Sequence, residues 1–121
     1  CMSGFMEKSY ESALRHDFYA LREEVGRVSN TIADLKANSP QDIAEYLSDP
    51  VNRARYELSP FVNRIAGNLT QIRKQINMIS QAPDDRISPS DKRERIQQLR
   101  NIEEDYLKSV NLKRLREMAQ M

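Results

Sequence analysis

Two stretches of this 121-residue chain repeat one apolar rhythm, in alternating steps of four and three residues. The first runs Leu14, Phe18, Leu21, Val25, Val28, Ile32, Leu35, and the second Leu58, Val62, Ile65, Leu69, Ile72, Ile76, Ile79. An α-helix turns once per 3.6 residues, so each set lines a narrow stripe along a helix about 33 Å long. Such a stripe leaves water only by packing against another helix. A heptad does not say whose helix it faces, so an intramolecular core and an intermolecular coiled coil both satisfy it.

Composition agrees with long solvated helices: 39% hydrophobic and 31% charged residues, with three Gly and no Trp, a poor balance for a β-sandwich or a sheet-based enzyme. The length fits one domain with a single modest core. Cys1 is the only cysteine, so no intrachain disulfide can form. The chain opens on Cys-Met, which reads as a piece cut from a longer polypeptide or as a scar left by cloning. Residues 1–10 are expected to be a flexible N-terminal segment and 11–121 a single helical domain. No apolar run approaches the roughly 18 to 20 residues of a membrane span.

Helix starts are written in a repeated form. In Ser39-Pro40-Gln41-Asp42 and Ser88-Pro89-Ser90-Asp91 the Ser can cap an orphan backbone N–H and Pro fits the first helical position. The Asp then lies at the positive end of the helix dipole. Asp49-Pro50 and Ser59-Pro60 read as two further cap pairs, since the residue before Pro is pushed out of the α region. The expected order is a long helix over 11–36, short helices over 40–47 and 50–57, a long helix over 60–80, a tight polar connection over 82–87, and a third long helix from Pro89 to at least Val110. The expected fold is all-α: an antiparallel bundle of three long helices, with two short helices connecting the first and second long ones.

The third helix is less regular. Ile96, Leu99, Ile102, Tyr106 and Val110 suggest its apolar face, while the strict heptad slot at 103 holds Glu. Leu112, Leu115 and Met118 resume on a displaced face, so either the helix bends near Asn111 or a separate last turn packs elsewhere. Leu107, Leu112, Leu115 and Met118 form a candidate interaction patch for another copy or a partner protein, or else they wrap the end of the bundle.

Reactive chemistry is sparse. His16 is the only imidazole and lies beside the first stripe, so it reads as a surface helix residue, not one member of a triad. One His and one Cys cannot supply a zinc site. Asp84-Asp85 and Glu103-Glu104-Asp105 lack the alternating oxygen ligands and Gly of a calcium loop and read as solvated surface. No Gly-rich phosphate loop is present. The reading is non-enzymatic, with no catalytic, cofactor or metal residues assigned. Charge is uneven: residues 1–60 hold 7 Lys/Arg against 10 Asp/Glu, a net −3, and residues 61–121 hold 12 against 8, a net +4. Acidic residues interleave, and Arg100 with Glu104 and Lys113 with Glu117 stand at salt-bridge spacing. Lys113, Arg114 and Arg116 are the candidates for weak nucleic-acid contact.

Several segments resemble the large polyvalent protein-associated domains found near the C-terminal ends of very long phage and mobile-element proteins. They are Phe18-Tyr19-Ala20-Leu21-Arg22, Ala44-Glu45-Tyr46-Leu47-Ser48-Asp49-Pro50, and Ile72-Arg73-Lys74-Gln75-Ile76-Asn77-Met78-Ile79. The Ser88-Pro89-Ser90-Asp91-Lys92-Arg93 start, leading through Ile96-Gln97-Gln98-Leu99 to Tyr106-Leu107-Lys108, completes the likeness. The resemblance implies a C-terminal module of a virion-internal (ejection) protein, packaged in the phage head and delivered into the host with the DNA. Its partners would then be itself or another virion protein, and any enzymatic domain of the parent would lie elsewhere. Two other readings stay open: a weak nucleic-acid-contacting helical module, and a coiled-coil adaptor or chaperone unrelated to phage.

Overall fold

A computed structural model describes residues 2–36 and 39–120, with side chains over 13–35 and 39–120. Its described residues form five helices and no strand: α1 (Met2–Lys36), α2 (Pro40–Leu47), α3 (Pro50–Gln81), α4 (Pro89–Ser109) and α5 (Leu112–Met118). The chain is therefore all-α. α1 begins at Met2, earlier than the expected start at Glu11, and Cys1 lies outside the described residues.

Three of the four cap pairs act as caps. Ser39 Oγ accepts from the Gln41 N–H at 3.2 Å, Asp49 Oδ1 from the Val51 N–H at 2.9 Å, and Ser88 Oγ from the Asp91 N–H at 3.1 Å. The fourth does not. Ser59-Pro60 sits inside one continuous helix of 32 residues, so a single short helix, not two, lies between the long helices α1 and α3. Pro60 removes the N–H that would bond the Tyr56 carbonyl and crowds the preceding turn. Packing outweighs that loss, because Leu58 and Val62, on either side of Pro60, are buried at 7% and 0% exposure. Ser59 joins two helices instead of capping one, since its Oγ lies 2.8 Å from Ser29 Oγ on α1.

The two stripes meet each other within the chain. Phe18, Leu21 and Val25 of α1 form one core with Leu58, Val62, Ile65, Ala66 and Leu69 of α3. Cross-helix contacts record the register: Ser29 of α1 meets Ser59 of α3 while Tyr19 meets Arg73, and Asn68 of α3 meets Tyr106 of α4. Ile72 is only half-buried, as is Leu99.

α4 keeps the heptad slot at 103, and the expected apolar position 102 is wrong. Ile102 is 54% exposed and Glu103 only 4%. The inward face runs through 96, 99, 103, 107 and 110, one helical step (about 100°) away from Ile102. Glu103 is consequently a buried group, not the solvated surface its acidic neighbours suggest.

Candidate functional site

The C-terminal corner is built around one backbone feature. Asn111 has φ 54° and ψ 67°, the left-handed conformation that ends α4, and its Oδ1 caps α5 by accepting from the Arg114 N–H at 3.3 Å. Asn suits this place because it tolerates the left-handed region and carries a capping oxygen. The reversal swings α5 back onto the core. Leu107 is 1% exposed and Leu112 and Leu115 are 7% each, all within the main core, with Met118 packed against it. These four residues therefore do not form an exposed interaction patch; they close the end of the bundle. Arg55 of α3 fastens the corner by donating from Nε to the Ala119 carbonyl at 2.9 Å.

The three basic candidates divide. Arg116 Nη1 lies 3.5 Å from Asp17 Oδ1 and ties α5 to α1, so part of its charge is already balanced. Lys113 and Arg114 are exposed, and the expected Lys113–Glu117 pair is not formed within 4.0 Å. Nor is the Arg100–Glu104 pair; Glu104 Oε1 is held instead by Lys108 Nζ at 3.1 Å. A groove of about 620 Å³ lies between α1 and the α4–α5 corner. Acid stands beside base there: Asp17 and Glu117 line it with Lys108, Lys113 and Arg116.

A second crevice, of about 540 Å³, opens where α1, α3 and α4 meet. Its lining includes Arg15 from α1, Arg73 and Lys74 from α3, and Arg100 from α4, with Glu103 as its one carboxylate. Arg15 Nε is 3.8 Å from Glu103 Oε1. Arg73 is fixed by Tyr19: its Nη1 donates to the Tyr19 hydroxyl, and its guanidinium carbon stands 5.4 Å from the ring centre, a cation–π geometry. No salt bridge within 4.0 Å reaches Arg73, Lys74 or Arg100 among the described residues. The sequence reading missed this grouping because its members come from three helices and are 85 positions apart at the extreme, from Arg15 to Arg100. The Arg73-Lys74 dipeptide was the visible signal.

His16 is exposed on α1, outside both openings. Among the described residues no three His, Cys, Asp or Glu side chains gather as metal ligands, and no helix is long and apolar enough to cross a membrane. Compared with known proteins, the chain matches no family model, no curated protein and no solved structure.

Proposed function

We propose that this chain is a non-enzymatic helical interaction and assembly module, built as an antiparallel bundle of the three long helices. The opposed register of the α1–α3 contacts, and the short 82–88 connection between α3 and α4, support the antiparallel arrangement. The observation that carries the assembly reading is that four large apolar side chains on α3 and α4 stay outside the core. Tyr56 and Phe61 are 42% exposed, Ile102 54% and Met78 65%. Apolar groups spaced along long helices suit contact with other helices, whether of another copy or of a companion protein. The resemblance to large polyvalent protein-associated domains extends the proposal: a C-terminal part of a very long phage virion-internal (ejection) protein, housed in the capsid interior and delivered into the host.

Light scattering of the chain at micromolar concentration, alone and mixed with proteins co-packaged in the same virion, tests this reading. Association is expected, and Phe61→Asp and Ile102→Asp should weaken it while leaving helix content unchanged by circular dichroism. A strict monomer that captures no co-packaged protein overturns the reading. Nucleic-acid contact is the second reading, favoured by exposed Lys113 and Arg114. Any such binding should be weak and fall steeply with salt.

A further inference from the structure

We propose that the crevice between α1, α3 and α4 binds a compact oligophosphate, either free or as the phosphate tail of a nucleotide. Four cationic side chains from three helices line one opening of about 540 Å³, against a single carboxylate, Glu103. That leaves a formal +3 around one opening, with Arg15 and Arg100 half-buried and Arg73 and Lys74 exposed. Like charges gathered around one opening repel one another, and a multivalent anion relieves the repulsion.

The cations are also arranged to be useful. Arg73 is held by the Tyr19 hydroxyl and ring, which fixes its planar fork while leaving donors unused. Arg15 is turned toward Glu103 and is 26% exposed, so its position is set before any ligand arrives. Arg100 is half-buried and has no acidic partner within 4.0 Å among the described residues, and exposed Lys74 adds a point charge. The amides of Asn77 and Gln81 supply further donors on the same wall. Charge-assisted hydrogen bonds from Arg and Lys to phosphate oxygens are short and strong, and a fork of pre-set donors favours several oxygens over one. The groove beside α5 offers no such field, because Asp17 and Glu117 stand among its bases.

The space and the charge favour a di- or triphosphate over a long strand. A nucleic-acid backbone spreads its charges along a line, whereas these cations come from three helices to one opening.

Isothermal titration of the chain with sodium pyrophosphate, and separately with adenosine diphosphate, tests the proposal at low ionic strength and without divalent metal. Saturable one-to-one binding is expected, with a rise in Tm. Lys74→Gln and Arg100→Gln should each weaken it at least about tenfold. Arg93→Gln removes one charge from α4 outside the crevice and should change it less than about twofold. Because Lys74 is exposed, its variant keeps the fold if Arg100→Gln does not. Adenosine diphosphate binding no tighter than pyrophosphate assigns recognition to the phosphates alone, and tighter binding assigns the nucleotide as the source. Absence of saturable heat and of any Tm rise up to about 10 mM pyrophosphate overturns the proposal. So does equal weakening by Arg93→Gln, which would mark diffuse attraction. A single-stranded oligothymidine bound more tightly than pyrophosphate, and lost with the same two variants, would replace the oligophosphate by a nucleic-acid strand.

Discussion

Glu103 occupies a slot that the helical rhythm reserves for an apolar side chain, and its burial at 4% exposure gives Arg15 its place. A buried carboxylate deprived of its cation keeps its desolvation cost, whereas Arg15, being 26% exposed, can return its charge to water. The two halves of the pair are therefore unequal. Arg15→Ala should destabilise by about 3 kcal/mol, and Glu103→Leu should be neutral or stabilising, as judged by urea melts. Equal losses would show that Glu103 does more than balance charge. Asn111 is the other residue whose chemistry decides a local shape. Asn111→Ala loses a cap and gains left-handed strain and should cost roughly 1–2 kcal/mol, while Asn111→Gly should cost only a few tenths. The sequence marked both positions, one as a broken heptad and one as a bend. It could not show that Glu103 faces inward, because charge argues for solvent while periodicity argues for the core. Only the packing of α1 against α4 settles that contest.

Among the elements, Ser59-Pro60 shows where local signals stop being sufficient. The same Ser/Asp-Pro pattern caps helices at Ser39, Asp49 and Ser88, where no apolar stripe runs through the pair. At Ser59 the stripe does continue, from Leu58 to Val62, and burying both residues on α1 keeps α3 helical despite the lost bond. Pro60→Ala restores a donor to the Tyr56 carbonyl and should stabilise the protein by roughly 1–3 kcal/mol, offset slightly by a freer unfolded chain. A lower Tm for this variant would mean that Pro60 relieves some strain that a straight helix cannot. Gly67 offers an independent measure of the same helix. A Cβ there meets no atom within 4 Å, so Gly67→Ala should stabilise by about 0.5–1 kcal/mol. The two changes are nearly two turns apart and should add. Helix ends at Lys36 and Leu47 were legible from Ser-Pro and Asp-Pro chemistry, and the end of α3 to within one residue, but whether α4 breaks at Asn111 stayed open and the continuity of α3 was not legible, because capping is local and the stripe's partner is remote.

Among the described side chains the core is not evenly distributed. It gathers Phe18, Leu21 and Val25 with residues 58–69 of α3, Leu107 and the folded-back α5. The opposite end, where the last turns of α3 meet the first turns of α4, has buried Ile76 with half-buried Ile72, Ile79, Ile96 and Leu99, the Lys92–Asp84 pair at 2.9 Å, and the cationic crevice. Regions with fewer fully buried apolar contacts open at lower free energy than the dense core. Native-state hydrogen exchange should therefore find the amides of 92–99 opening before those of 62–69. The variants extend the contrast. Leu21→Ala removes a side chain that is 1% exposed and should cost about 2–5 kcal/mol, lowering protection everywhere through global unfolding. Leu99→Ala should cost less and act chiefly on the α3–α4 end. Uniform protection along α4, with the two variants lowering it alike, would mean that the bundle opens only as one unit. An end that opens on its own would also be the end a bound oligophosphate tightens, because ligand held by Arg15, Arg73 and Arg100 bridges three helices there. Pyrophosphate should then slow exchange over 92–99 and leave 62–69 unchanged. Slowing confined to 62–69 would separate the weak end from the crevice.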